Sequence, residues 1–154
     1  MKTRIIGLGN TILTDDGVGV YAARELQKRL GDAVDIIETE TAGFSLMELL
    51  TGWDRVILID SIQFDDLAPG TVVRIDPQDL RTSLRLRSVH EIDLPTVLAL
   101  GRRLGLPMPQ HVRIVAIQAE DALTVGESLT PAVERGMNEA IALILEELRG
   151  IPAP

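Results

Sequence analysis

Residues 3–19 read TRIIGLGNTILTDDGVG. The run Thr3–Leu8 is apolar, short and ended by glycine, which predicts a buried strand. Asp15 or Asp16 can then cap a helix that continues to about Leu30. Gly19, Ala22, Ala23, Leu26 and Leu30 fall on one face of that helix, and Gly31 stops it. A buried strand that turns on glycine into a helix is the opening unit of an α/β fold.

The same alternation continues downstream. Val34–Glu38 predicts a second strand. Leu46, Leu49 and Leu50 predict a short helix closed by Gly52. Arg55–Asp60, RVILID, predicts a third buried strand that ends on a carboxylate. Pro69-Gly70 is a turn signal, and Thr71–Ile75 after it predicts a fourth strand. The connection from the third strand is too short for a helical crossover, so the fourth should run antiparallel to it. Ser88-x-x-Glu91 has the form of a capping box, but a helix begun there would enclose Pro95 at a cost of about 3 kcal/mol. A start at Asp93 keeps Pro95 in the first turn. It turns Leu94, Val97, Leu98 and Leu104 inward and leaves His90 in the loop ahead. His111–Gln118 predicts the fifth strand. Thr130 should cap the last helix with Pro131 at its first position. Val133, Met137, Ala140, Ile141, Ile144, Leu145 and Leu148 then form one apolar stripe.

The chain has 154 residues, a length that fits one domain spanning 1–154. Apolar residues make up 45% and aromatics only 3%, so the core must be aliphatic. There is no cysteine. Disulfides, thiolate nucleophiles, zinc ribbons and iron–sulfur ligation are thereby excluded, and a reducing cytoplasmic location fits. The apolar run behind Met1-Lys2-Thr3-Arg4 breaks at Gly7 and Gly9, too early for a signal peptide. No apolar stretch approaches the roughly 20 residues that span a bilayer, so no membrane role is expected. With 15 basic and 23 acidic residues the net charge is −8, which argues against a nucleic-acid partner. Arg81, Arg85 and Arg87 run against that balance. They read as a solvated basic loop or as a docking patch for an acidic partner or a chain terminus.

Several chemistries fail on particular residues. Gly7-Leu8-Gly9-Asn10 begins a dinucleotide fingerprint, but position 12 is Ile. Asp15 and Asp16 would also repel a phosphate at the helix N-terminus. The bland alternative is a tight strand-to-helix turn that needs glycine. The GLGN opening is similar to that of peptidyl-tRNA hydrolase, yet that family's following Thr-Arg-His-Asn stretch is missing. There is no G-x-S-x-G elbow. His90-Glu91 starts like a zincin, but position 94 is Leu. With only two histidines, a three-histidine metal site is impossible.

What remains is topological. Open α/β sheets bind ligands beyond the carboxyl ends of their strands, where strand order reverses. Asp16 follows the first strand and Asp60 ends the third. If the second strand lies on the far side of the first, both carboxylates face one crevice, and His90 can reach it. Two carboxylates and an imidazole suit a divalent transition metal with positions left open for water or substrate. Each residue also has a plainer reading: Asp16 as a helix cap, Asp60 as a solvated or paired strand end, His90 as a surface or packed histidine. His111 reads as surface, and Asp65 and Asp66 as a solvated loop.

The same residues carry a family likeness. Gly7 through Gly19, GLGNTILTDDGVG, resembles the N-terminal signature of the NiFe-hydrogenase maturation endopeptidases. Thr41-Ala42-Gly43 with Leu46, Glu48, Leu49 and Leu50 is similar to that family's second block. Ile59-Asp60-Ser61-Ile62 matches the third, followed by Pro69-Gly70-Thr71, and Ser88-Val89-His90-Glu91 with Leu94, Val97 and Leu98 matches the fourth. Leu129-Thr130-Pro131 opens the final helix as in the family. The resemblance spans nearly the whole chain. It implies a three-layer α/β/α sandwich with a five-stranded mixed sheet, one strand antiparallel. It implies that Asp16, Asp60 and His90 are catalytic and bind a divalent metal. The implied reaction removes the C-terminal extension of the hydrogenase large-subunit precursor after nickel loading. The nickel would arrive with the substrate, and no tightly bound resident metal is expected. The first ligand position is Glu in some relatives and Asp here, a shorter reach. Some relatives have Asp-Gly-Gly where this chain has Glu38-Thr39-Glu40, bulkier and more acidic. Glu38, Glu40, Thr41 and Gly43 are therefore candidate substrate contacts. Two other functions would use the same three residues: a checkpoint that senses nickel without cutting, and a resident-metal hydrolase of unrelated substrate.

Overall fold

The computed structural model describes residues 1–41, 43–81 and 94–150. Five strands form one sheet: β1 (Thr3–Leu8), β2 (Asp35–Thr39), β3 (Arg55–Ile62), β4 (Val72–Ile75) and β5 (His111–Gln118). Four helices flank it: α1 (Val18–Leu30), α2 (Leu46–Leu50), α3 (Leu94–Arg103) and α4 (Pro131–Gly150). The strand order is β2-β1-β3-β5-β4, with β4 antiparallel to β5 and the other neighbours parallel. β2 thus lies on the far side of β1 from β3, and the order reverses between β1 and β3.

Period-two alternation distributes the aliphatic residues to the two faces. Ile5, Ile57, Ile59, Val115 and Ile117 pack with Val18, Ala22 and Leu26 of α1 and Val133, Ala140, Ile141 and Ile144 of α4. Ile6, Leu8, Val56, Leu58, Ile114 and Ala116 pack with Leu46 and Leu50 of α2 and Leu94, Val97 and Leu98 of α3. This is the α/β/α sandwich with one antiparallel strand. Every residue of β3 is buried, as expected of a central strand covered on both faces.

Three local expectations change. Neither Asp15 nor Asp16 caps α1: a 3-10 turn, Thr14–Gly17, intervenes, and the N-cap Gly17 makes no side-chain cap bond. Asp60 does not end β3. The ladder with β5 runs on through Asp60↔Ala116, Ser61↔Ile117 and Ile62↔Gln118, because β5 extends alongside. β4 runs opposite to β3, as expected, and pairs with β5 at the sheet edge. Leu104 turns outward, 63% exposed, because α3 stops at Arg103 and Gly105 (φ 75°) reverses the chain.

Candidate active site

The β1–β3 boundary is built for close approach. A Cβ on Gly7 would overlap the Gly19 carbonyl, and a Cβ on Gly19 would overlap the carbonyls of Ile59 and Leu8. Glycine at both positions lets the start of α1 sit directly on the two strands. Gly9 (φ 150°) turns the chain out of β1, and a Cβ there would overlap the Asp16 carbonyl. Thr14 has φ 52°, a strained value for a β-branched residue. The strain falls immediately before the two aspartates.

Asp15 is fully buried, and its carboxylate is heavily bonded. Oδ2 accepts from the backbone N–H of Glu120 (3.0 Å) and Asp121 (2.9 Å), and Oδ1 from that of Thr130 (2.8 Å). The Thr130 hydroxyl donates to both oxygens, at 2.8 and 3.1 Å. The backbone N–H of Asp15 donates to the Asp121 carbonyl at 2.9 Å. A buried carboxylate with this many donors is a structural anchor, with few lone pairs left for a ligand. It ties the loop after β5 and the start of α4 to the loop after β1. Thr130, expected as a helix cap, has its hydroxyl turned to Asp15. The sequence hides this anchor because its partners are more than 100 positions away.

Asp16 is 1% exposed and Asp60 3%. Asp16 Oδ2 accepts the backbone N–H of Asn10 at 3.0 Å. Ser61 touches both carboxylates. Its hydroxyl lies 3.4 Å from Asp16 Oδ1, long for an O–H···O bond, and its backbone N–H donates to Asp60 Oδ1 at 2.8 Å. Asp60 is in phase with Leu58 and Ile62, so its side chain belongs to the α3 face of the sheet. It also lies one residue beyond the last β1–β3 pair, Gly7↔Ile59, where the ladder opens as β1 turns away. Asp16 and Asp60 therefore both lie at the carboxyl end of the sheet, near the reversal in strand order, with Ser61 in reach of each.

His90, predicted as the third member, lies outside the described residues, as do Arg85, Arg87, Ser88, Glu91, Asp93 and Ala42. Among the described residues, no group of three or more His, Asp or Glu side chains is arranged to hold a metal ion. The donor set fits such an ion in kind, since carboxylate oxygens and an imidazole nitrogen are ordinary ligands for nickel and zinc.

The predicted substrate contacts sit at the same end of the sheet, on the outer strand beyond β1. Glu38 pairs with Gly7 in register and forms a two-pronged ion pair with Arg24, both N···O distances 2.9 Å. That hydrogen bond and the attraction of Arg24 hold the Glu38 carboxyl below its ordinary range. Glu40 is exposed, and the Thr41 N–H donates to Thr39 Oγ1 at 3.0 Å. Gly43 (φ 61°) begins the turn that presents Phe44 to solvent. On the other flank, Asp121 Oδ1 accepts the N–H groups of Leu123 and Thr124 at 3.0 and 2.9 Å. Hydrogen bonds from Thr124 and Leu123 hold its carboxyl below the usual aspartate value. Asp65 and Asp66 are exposed, as is His111.

Comparison with known proteins gives a consistent result. Residues 20–147 match the family model described as hydrogenase maturation protease. The hydrogenase 2 maturation protease of Escherichia coli is 31% identical over 152 residues, covering 97% of this chain and 92% of that protein. The hydrogenase expression/formation protein HupD of Thiocapsa roseopersicina is 28% identical over 94% of this chain, which spans 66% of its length. Among solved structures, the hydrogenase maturating endopeptidase HybD of E. coli superposes with a TM-score of 0.78 at 31% identity, covering 97% of this chain and 93% of that one. The [NiFe] hydrogenase maturation protease HybD of Thermococcus kodakarensis superposes with a TM-score of 0.74 at 28% identity, covering 96% and 99%.

Proposed function

Because this chain belongs to the hydrogenase maturation protease family, we propose that it is the endopeptidase that removes the C-terminal extension of a nickel-loaded NiFe-hydrogenase large-subunit precursor. The observation that carries the reading is that two buried carboxylates, Asp16 and Asp60, lie at the carboxyl end of the sheet with Ser61 in reach of both. Two carboxylates at the carboxyl end of the sheet, where open α/β sheets bind their ligands, suit a cationic substrate group.

In this reading the nickel belongs to the substrate. Asp16, Asp60 and His90 receive it, and it polarises the scissile carbonyl or acidifies a water. One carboxylate takes the water's proton as general base. Ser61 holds the two carboxylates in fixed relation. Glu38, Glu40, Thr41 and Gly43 border the path of the polypeptide. Among the described residues no helix is long and apolar enough to cross a membrane, which suits work on a cytoplasmic precursor.

The test is incubation of the purified chain with precursor in nickel-loaded and nickel-free forms. Shortening of the loaded large subunit alone supports the reading. Stable binding without shortening would make the chain a checkpoint instead. Stoichiometric zinc or iron in the purified protein, with cleavage indifferent to nickel, would make it a resident-metal hydrolase.

A further inference from the structure

The loop after β5 holds its backbone rigidly and gives its aliphatic side chains to water. Leu123 is 83% exposed and Val125 79%, and Ile12 on the facing loop is 50% exposed. Surface leucines scattered singly need no explanation, but these three stand on two loops joined by an ordered ladder. Leu13 and Gly126 form a parallel bridge. The Gly126 N–H donates to the Ile12 carbonyl and the Thr14 N–H to the Gly126 carbonyl, each at 2.9 Å. The Thr14 hydroxyl donates to the Thr124 carbonyl at 2.5 Å, and the Tyr21 hydroxyl to the Glu127 carbonyl at 2.6 Å. Asp15 anchors the root of the same loop, one residue from Asp16. The backbone is thus fixed in advance, and an incoming surface would not have to order it.

The two loops themselves carry charge of one sign. Residues 8–23 and 114–134, which include both loops, contain no lysine or arginine. Glu120 and Glu127 are exposed beside Leu123 and Val125. A matching surface is therefore apolar at its centre and bordered by Lys or Arg.

We propose that Ile12, Leu123 and Val125 form a preformed docking ridge for the large-subunit precursor, engaging an apolar patch bordered by basic residues next to the segment to be cut. This rests on the endopeptidase reading above. Ile12 stands four positions before Asp16, and Asp15 ties the two loops together, so a polypeptide held on the ridge passes Asp16 without a change in the protease backbone.

The experiment compares wild type with Leu123→Ser/Val125→Ser, a second double variant Glu120→Lys/Glu127→Lys, and Leu104→Ser as a control at the opposite end of the sheet. Binding of nickel-loaded precursor and its cleavage are measured separately. The serine variant should raise Kd and KM about tenfold or more and leave kcat within about twofold. The lysine variant should weaken binding at low salt and lose most of that effect at high salt. Leu104→Ser should match wild type. Unchanged Kd in the serine variant, or a fall in kcat at unchanged Kd, overturns the ridge. So does tighter binding by the lysine variant, or a wild-type homodimer that the serine variant dissolves. Wild type that neither binds nor cuts the precursor overturns the endopeptidase reading and the ridge with it. Cutting by wild type and serine variant with the same KM overturns the ridge alone.

Discussion

The two ends of the sheet bury charge in opposite ways. At the carboxyl end, Asp15 is fully enclosed and accepts from three backbone N–H groups and one hydroxyl. At the amino end, Arg55 is 8% exposed, donates through Nε to Thr3 Oγ1 at 3.1 Å, and leaves Nη1 without a hydrogen-bond partner. Glu147 Oε2 nearby is likewise unpartnered, and both residues line an open cavity of about 660 Å³. Burial pushes the Arg55 guanidinium below its ordinary value, with the charge of Glu147 opposing. The carboxyl end is built to fixed geometry, and the amino end has room for water. A site that must orient reacting groups needs the first arrangement. The second merely tolerates a charge.

This contrast can be broken in several ways. The largest effect is expected at Asp60 and Asp16. Asp60→Asn or Asp16→Asn should lower the rate of precursor cleavage by roughly 10²-fold or more, since each removes a charged ligand and a candidate base. Cleavage within a few-fold of wild type would remove both residues from the chemistry. Asp15→Ala comes next and acts on stability. It strips the acceptor from buried donors and should cost about 3 kcal/mol or more, a fall in Tm of roughly 6–12 °C in thermal unfolding. An unchanged Tm would mean that the anchor is ornamental.

Arg55→Met should do far less. It replaces an incompletely paired buried cation with an apolar chain of similar reach, so stability should stay within about 1 kcal/mol of wild type. Cleavage should be unchanged. A large loss on denaturant titration would erase the difference between the two ends. The smallest effect belongs to the Arg24–Glu38 pair. The folded Glu38 pKa is depressed below its ordinary 4.5, so its contribution is present above that value and lost as pH falls through the lower folded value. Both side chains are about half exposed, which limits the contribution to roughly 0.5 kcal/mol. Comparing Glu38→Gln with wild type at pH 7 and at pH 3 should show that gap closing in acid. A gap that widens would reverse the assigned sign.

Much of the fold was legible in the residues. Arg55–Asp60 read as a buried strand because its aliphatic run leaves no solvent face, and it lies at the sheet centre; His111–Gln118 read as a strand and lies beside it. The α4 stripe was legible because a helix of that length repeats its period several times. Errors fell where a neighbour decides. β3 runs two residues past Asp60 because β5 lies beside it. Of the candidate site, Asp16 and Asp60 were legible as carboxylates following apolar strands. Asp15 was not, because an aspartate before a helix looks the same whether it caps the helix or anchors a loop.

The sequence by itself determined which segments are strands and helices, which faces they bury and where carboxylates follow the strands. Those properties follow from periodicity and turn chemistry, which act over a few residues. Only the tertiary structure decided that β2 and β3 flank β1, that Ser61 stands between Asp16 and Asp60, and that Asp15 holds Thr130 from 115 positions away. Such pairings depend on which surfaces meet once the chain has closed long loops, and no local pattern of side chains records that.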